Sequence, residues 1–193
     1  MKAALPLKKR SGDFQVFAKP IGAVCNLDCR YCYYLEKERL YPEKASFRMP
    51  EDLLEAYIVQ VMEAFGDAPD IRFSWHGGEP TLLGVPYFEK ITALQKKHLP
   101  PGKGVVNNIQ TNGTLVDEDW CRFLARENFT VGLSMDGPAA LHDGFRVTKA
   151  GAPTHEKVLR AWDLLSGAGV TTDILCVVHR ENVFYPEEVY GFF

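Results

Sequence analysis

Short runs of β-branched and aromatic residues alternate with longer segments of helical periodicity five times along this chain of 193 residues. In the clearest helical segment, apolar residues recur every three or four positions after Pro50, and Gly66 follows as a stop signal. The other predicted helices are Pro86–His98, one from about Asp117, one capped by Thr154 that ends near Ser166, and one from Pro186. The predicted strands are Phe14–Ala18, Ile71–Trp75, Val105–Gln110, Thr130–Ser134 and Val170–Val178. This alternation predicts an α/β fold with a parallel sheet.

The most unusual residue combinations come directly after the predicted strands. CNLDCRYC follows the first strand, HGGEP the second, QTNG the third and SMDG the fourth. Because sites in parallel α/β folds form at the carboxyl ends of the strands, we expect these four segments to converge on one pocket. Five βα units make an open arc that is short of a closed eight-fold barrel. We therefore interpret residues 1–193 as one domain, the N-terminal portion of a longer protein, truncated after about five βα units.

Three cysteines in the first of these segments, Cys25, Cys29 and Cys32, suggest a reactive metal site. Three thiolates can hold three irons of a cubane cluster and leave the fourth iron open to a small molecule. Zinc is the main alternative, since CxxC is its common half-site, but no second ligand pair follows within the next forty residues. A disulfide framework fits poorly with an odd count of 5 Cys and no signal peptide. We expect Cys121 and Cys176 to be small core residues.

Composition narrows the class of protein. With 46% hydrophobic residues, a chain of this length can bury a substantial core. A net charge of −3 gives no electrostatic reason to expect nucleic acid or an anionic membrane as a partner. No segment approaches the roughly 18 consecutive apolar residues of a membrane span. Together with reduced thiols and no export signal, these features indicate a cytoplasmic enzyme.

Five segments together resemble one family: AKPIGAVCNLDCRYCYYLEKE, FSWHGGEPTLLG, IQTNGTLVDEDW, VGLSMDGP and LHDGFRVTKAG. In this order they are similar to the anaerobic sulfatase-maturating enzymes of the radical SAM superfamily, whose signature is CxxxCxxC with an aromatic residue before the last cysteine. The resemblance covers roughly residues 14–180. It implies a partial (βα)6 barrel, a [4Fe-4S] cluster on Cys25, Cys29 and Cys32, and S-adenosylmethionine chelating the open iron.

The resemblance also implies a reaction. One electron would cleave S-adenosylmethionine to methionine and a 5′-deoxyadenosyl radical, and the radical would start the oxidation of a cysteine or serine in a sulfatase to formylglycine. The implied partners are the sulfatase polypeptide and an electron donor such as flavodoxin or ferredoxin. The family's cysteine-rich C-terminal region and its carboxylate general base are expected beyond residue 193.

Two of the similar segments would bind the amino and adenine groups of S-adenosylmethionine. Gly77 and Gly78 would let the backbone approach the ligand closely, and Glu79 would supply a carboxylate that accepts from the ammonium. Tyr31 would lie against the adenine, and the alternative is a surface aromatic residue beside the loop. His76 could line the substrate pocket or only shape the turn.

Four further residues would bind the other groups of S-adenosylmethionine. Ser134 and Arg146 would bind its carboxylate, with Arg160 as a second candidate, and each arginine could instead lie on the surface. Gln110 would face the ribose or methionine part, or simply be a satisfied polar strand end. Asp136 is expected to shape the SMDGP turn.

Two other functions compete with sulfatase maturation. A related radical SAM enzyme could crosslink or epimerise a ribosomal peptide with the same cofactor chemistry. A non-catalytic module could hold zinc on the three cysteines, but this alternative leaves HGGEP, SMDGP and the βα alternation unexplained.

Overall fold

A computed structural model describes residues 15–40, 48–65 and 68–193. The strands are β1 Phe17–Ala18, β2 Asp70–Trp75, β3 Gly104–Thr111, β4 Phe129–Ser134 and β5 Thr172–Leu175. The helices are α1 Glu51–Ala64, α2 Val85–His98, α3 Glu118–Arg126, α4 Ala139–His142, α5 His155–Gly167 and α6 Pro186–Phe192. Short 3-10 turns occupy Leu35–Leu40, Pro80–Leu83 and Asn182–Phe184.

The five described strands form one sheet in sequence order, and every neighbouring pair is parallel. One line of paired residues crosses the whole sheet, through Ala18, Trp75, Ile109, Val131 and Thr172. The residues that follow this line in each strand therefore emerge at the same edge. The predicted α/β fold with a parallel sheet is confirmed, and the cysteine, HGGEP, QTNG and SMDG segments all leave this carboxyl edge.

The two faces of the sheet differ in polarity because side chains alternate along each strand. Phe73, Trp75 and Leu133 are fully buried in the core, together with apolar residues of the α-helices. Phe88 of α2 meets Trp75 edge to face, with ring centroids 6.3 Å apart. The opposite face carries the polar side chains of Ser74, Asn108, Gln110, Thr130 and Ser134. The packed helices thus cover the apolar face, and the polar face is the one available to a ligand.

The element boundaries differ from the sequence predictions at a few points. The predicted start of the first strand at Phe14 and the stop signal Gly66 lie outside the described residues. The fifth strand has four residues where nine were predicted, and α4 was not predicted. None of the described helices has the length and apolar character to cross a membrane.

The predicted capping role of Thr154 is wrong. Thr154 occupies the N-cap position of α5, but its side chain makes no capping hydrogen bond. The carboxylate of Asp143 instead accepts from the backbone N–H groups of Thr154 and His155 at 2.8 and 2.9 Å. The Thr154 hydroxyl donates to the carbonyl of Arg146, so it stabilises the loop before the helix and not the first turn of the helix.

Candidate functional site

The loop that carries the three cysteines is bound to the HGGEP turn through its backbone. The N–H groups of Gly78 and Glu79 donate to the carbonyls of Gly22 and Val24 at 2.8 and 2.9 Å. A Cβ atom on Gly78 would lie 2.0 Å from the Val24 oxygen, and one on Gly77 would lie 2.8 Å from the Gly22 oxygen. Gly77 also has a φ of +133°, which strains any other residue. The two glycines predicted to admit a ligand thus admit the chain's own cysteine loop.

A second segment holds the same loop from the other side. The N–H of Asp28 donates to the carbonyl of Val147 at 2.8 Å, and the N–H of Arg30 donates to the carbonyl of Phe145 at 2.9 Å. The LHDGFRVTKAG segment therefore fixes the backbone between the first and last cysteines. This contact joins parts of the chain that are more than a hundred residues apart.

Cys25, Cys29 and Cys32 are free thiols, with Cys29 buried and the other two partly exposed. Burial raises the pKa of Cys29 to about 12; Arg146 opposes this rise, and the neighbouring Cys25 and Cys32 add to it. Among the residues that the structure describes, no three His, Cys, Asp or Glu side chains form a group that could hold a metal ion. A four-iron cluster spreads its protein ligands more widely than a single ion, and three thiols from one loop are a suitable donor set for it. The residues present fit a cluster in number and chemistry.

Cys25 has the most developed hydrogen-bonding environment of the three thiols. Its sulfur accepts from the N–H of Leu27 at 3.4 Å and from Asn112 Nδ2 at 3.8 Å. The same Asn112 amide donates to Asn26 Oδ1 at 2.9 Å. Burial raises the pKa of Cys25, and both hydrogen bonds to its sulfur oppose the rise. The QTNG segment is thereby tied to the cysteine loop.

Glu79 is 1% exposed, and its carboxylate accepts four hydrogen bonds from the protein. The donors are the N–H and hydroxyl of Thr81, the hydroxyl of Thr111 and the N–H of Asn112, at 2.6 to 3.0 Å. Burial raises the pKa of Glu79, and these bonds oppose the rise. Three of these bonds end on Oε1 and only one, from the Asn112 N–H, ends on Oε2, so Oε2 keeps an acceptor site for a further donor. The Glu79 carboxylate thus holds the turn against β3, and its contact with the ammonium of S-adenosylmethionine stays a prediction.

Asp136 is completely buried and also accepts four hydrogen bonds. Arg146 binds it with two nitrogens at 2.9 and 3.0 Å, and the Tyr31 hydroxyl and the Val177 N–H complete the set. Arg146 is 6% exposed. Its predicted partner was the carboxylate of S-adenosylmethionine, but the structure pairs it with a carboxylate of its own chain. Asp136 does more than shape its turn, because it joins the cysteine loop, the Arg146 segment and the end of β5.

Tyr31 lies in a group of rings beside this ion pair. Its ring stacks with those of Phe145 and His179, each with centroids 5.8 Å apart, and the Arg146 guanidinium lies 5.5 Å from its centroid. Phe145 and His179 stack on each other at 3.8 Å. The Tyr31 side chain remains partly exposed. Its contact with adenine stays a prediction.

Two of the remaining predicted residues come together at the carboxyl edge and one does not. Gln110 Nε2 donates to Ser134 Oγ at 3.0 Å, across the neighbouring ends of β3 and β4. Arg160 is exposed on α5, and its guanidinium lies 3.7 Å from Glu118 of α3. The structure thus leaves Arg160 exposed in the outer helical layer, and its contact with the cofactor stays a prediction. His76 packs edge to face against Phe17 at 4.6 Å, as expected for a residue that shapes the turn.

His142 is a buried residue that the sequence did not single out. Its Nδ1 accepts from the N–H of Asp136 at 3.3 Å, and its Nε2 lies 3.1 Å from the hydroxyl of Thr154. That hydroxyl donates its hydrogen to the carbonyl of Arg146, so it must accept from Nε2–H. His142 is therefore neutral with a fixed tautomer. Burial, with the nearby Arg146 charge, lowers its pKa from 6.5 to about 4.

This histidine predicts a loss of stability in mild acid. A group whose pKa is lower in the folded state contributes stability that is present above its unfolded pKa and lost as the pH falls. We expect the free energy of unfolding to decrease between pH 6.5 and pH 4 by up to about 3 kcal/mol, at 1.36 kcal/mol per unit of pKa. Urea unfolding followed by circular dichroism measures it. In His142→Gln the decrease should be much smaller, and parallel losses in both proteins would contradict the assignment.

Other residues of the site were visible in the sequence only as turn formers or as parts of longer motifs. Asn26 sits between the first two cysteines, and Asn112 begins an Asn-Gly turn, a pair that ordinarily signals chain reversal alone. Phe145 and His142 belong to the LHDGFRVTKAG segment. A clustering of Asn and His in segments that follow strands was the available signal.

Comparison with known proteins gives consistent matches. The model of the Radical SAM superfamily matches residues 20–193. A serine-type anaerobic sulfatase-maturating enzyme of Bacteroides thetaiotaomicron is 43% identical over 178 residues, which are 92% of this chain and 42% of the relative. A cysteine-type anaerobic sulfatase-maturating enzyme of Clostridium perfringens is 40% identical over 176 residues, which are 91% of this chain and 47% of that protein.

Solved structures show the same likeness. Native anSMEcpe with bound AdoMet aligns with a TM-score of 0.83 and 39% identity, over 92% of this chain and 48% of that one. Native anSMEcpe with bound AdoMet and Cp18Cys peptide aligns with a TM-score of 0.81 and 37% identity, over 92% and 46%. The chain thus spans about half the length of the relatives it matches.

Proposed function

Because this chain belongs to the radical SAM superfamily, we propose that it binds a [4Fe-4S] cluster and S-adenosylmethionine and cleaves the latter reductively. The products would be methionine and a 5′-deoxyadenosyl radical. The observation that carries the proposal is the set of three free thiols on one loop at the carboxyl edge of a parallel sheet. Solved relatives with bound AdoMet support it.

Cys25, Cys29 and Cys32 would hold the cluster through three irons. When bound, the cluster would supply one electron and an open iron that the cofactor chelates. The protein's own contribution is to keep the three thiols on one rigid loop, which the backbone contacts to the Gly78 turn and to Phe145 provide. Because the thiols must lose protons to bind metal, the loop also determines how readily the site is loaded.

The polar edge residues would orient S-adenosylmethionine. Ser134 accepts from Gln110, which leaves its own hydroxyl hydrogen to donate to the carboxylate of the cofactor. We assign the amino group to the turn at Gly77 and Gly78 and to Glu79, whose Oε2 accepts a single hydrogen bond from the protein. The ring of Tyr31 would lie against the adenine. Arg146 would act indirectly by fixing Asp136.

The substrate we propose is a cysteine or serine of a sulfatase polypeptide, which the radical would begin to oxidise to formylglycine. Support comes from relatives named as anaerobic sulfatase-maturating enzymes and from a solved relative with a bound peptide. An electron donor such as flavodoxin or ferredoxin would reduce the cluster. We place the reaction in the cytoplasm, where thiols stay reduced. The general base expected beyond residue 193 stays a prediction.

Formation of 5′-deoxyadenosine tests the proposal. We expect the chain, reconstituted anaerobically with iron and sulfide and reduced with dithionite, to convert S-adenosylmethionine to 5′-deoxyadenosine and methionine in equal amounts. Liquid chromatography with mass spectrometry measures both products. Omission of the reductant should abolish them. A reconstituted protein with a full cluster that yields neither product would contradict the proposed function.

A further inference from the structure

We propose that Asn112 is a positioning residue that raises the reduction potential of the cluster through its hydrogen bond to Cys25. The inference rests on the proposed function, because it requires a cluster on the cysteine loop. It assigns a role to Asn112 of the QTNG segment, which the sequence indicated only as the start of an Asn-Gly turn.

The Cys25 sulfur accepts two hydrogen bonds. One comes from the backbone N–H of Leu27 at 3.4 Å, and the other comes from the side-chain amide of Asn112 at 3.8 Å. Among the hydrogen bonds between described residues, those to a sulfur of the cysteine loop all go to Cys25 and none to Cys29 or Cys32. Of its two donors, the Asn112 amide can be removed by substitution.

The orientation of the Asn112 side-chain amide is fixed by its other hydrogen bonds. Asn112 Oδ1 accepts from both the N–H and the hydroxyl of Thr114, at 3.0 and 2.7 Å. The amide nitrogen must therefore point the other way, toward Asn26 Oδ1 and Cys25. The backbone N–H of Asn112 donates to the buried carboxylate of Glu79 at 2.7 Å. Asn112 is 8% exposed, so water competes little for its hydrogens.

The hydrogen bond from Asn112 to Cys25 has an electrostatic consequence for the cluster. Reduction adds negative charge to a cluster and to its thiolate ligands. An N–H dipole directed at a ligand sulfur stabilises that charge, and hydrogen bonds to sulfur are among the factors that set cluster potentials. Because the site is partly desolvated, the dipole acts with less screening than it would in water. Removal of the donor should therefore make the cluster harder to reduce.

The experiment compares cluster potentials in the reconstituted protein. Asn112→Leu keeps a similar volume and removes the amide, and we expect the equilibrium constant for one-electron reduction to fall about ten-fold, a downward shift of about 59 mV. Asn112→Asp replaces the donor with an acceptor and should shift the potential further in the same direction. The potential is read from a redox titration followed by EPR, with iron per chain measured on the same samples.

The control is Asn108→Leu, the same substitution within β3, the strand that Asn112 directly follows. Its amide donates to Thr130 and does not contact the cysteine loop. We expect the Asn108→Leu potential to equal that of the wild-type protein. If Asn112→Leu does not fold, Asn112→Asp alone decides.

The outcomes separate this inference from the proposed function. A wild-type protein that assembles no cluster would overturn both. A wild-type cluster with an unchanged potential in the decisive Asn112 variant, at full iron content, would overturn only the role of Asn112. Loss of iron without any shift in the remaining cluster would show that Asn112 is merely structural, and this too would overturn the inference.

Discussion

Replacement of Cys25, Cys29 or Cys32 by alanine is expected to abolish the binding of iron. The wild-type protein, reconstituted anaerobically, should hold about four irons per chain by the stoichiometry of a cubane cluster. The three thiols lie on one loop, and the other two cysteines lie on separate elements, Cys121 buried in α3 and Cys176 after β5. Iron analysis measures the iron content of each variant. In the wild-type protein S-adenosylmethionine should change the EPR spectrum of the reduced cluster, and in the three variants this change should disappear.

Cys121→Ala is the matched control. Its side chain is 4% exposed and packs in the apolar core, so its removal should leave the iron content at the wild-type value. A loop variant that still held four irons would contradict the assignment of that cysteine. Tight binding of one zinc by the wild-type protein, with no EPR response to S-adenosylmethionine, would instead favour the zinc module.

Asp136→Asn should lower the free energy of unfolding by about 3–5 kcal/mol, the usual cost of removing one partner of a buried ion pair. The substitution leaves the guanidinium of Arg146 buried without a counter-charge. It also weakens the acceptor for the Tyr31 hydroxyl and for the Val177 N–H. Three separate segments lose their common partner at once. Urea unfolding at neutral pH measures the effect.

Asp119→Asn provides the comparison for an exposed pair. Asp119 pairs with Arg122 on the surface of α3, where both side chains are about 70% exposed. Exposed pairs contribute little, so we expect a change within about 0.5 kcal/mol. Equal effects of the two substitutions would show that the ion pair of Asp136 does not stabilise the fold as the structure indicates.

The fold was predictable because its signals are local. Apolar residues at helical spacing indicated the helices, and the short runs of β-branched and aromatic residues between them indicated the strands. The fifth strand was predicted too long for the same reason. Val177 and Val178 continue the apolar run, but the Val177 N–H leaves the sheet to bind Asp136, and both side chains are exposed.

The chemistry of the site was only partly predictable because it depends on which distant groups meet. Glu79 and Arg146 have the charges that suit a zwitterionic ligand, and the sequence assigned both to it. Each is buried, and a buried charge needs a partner, which the fold supplies from within the chain. Those partners lie on other loops. Gln110 and Ser134 meet because neighbouring parallel strands bring their ends together, and their contacts with the cofactor stay predictions.

The two-sided attachment of the cysteine loop has a consequence for the order of events during synthesis. The HGGEP turn is made soon after the loop, but the carbonyls of Phe145 and Val147 follow the last cysteine by more than a hundred residues. At ribosomal rates of roughly 5–20 residues per second, that interval is on the order of ten seconds. During it the nascent loop has at most one of its two attachments. Iron insertion into the finished loop geometry therefore has to wait until residue 147 has been made and folded onto the loop, and the cell must keep three unligated thiols reduced until then.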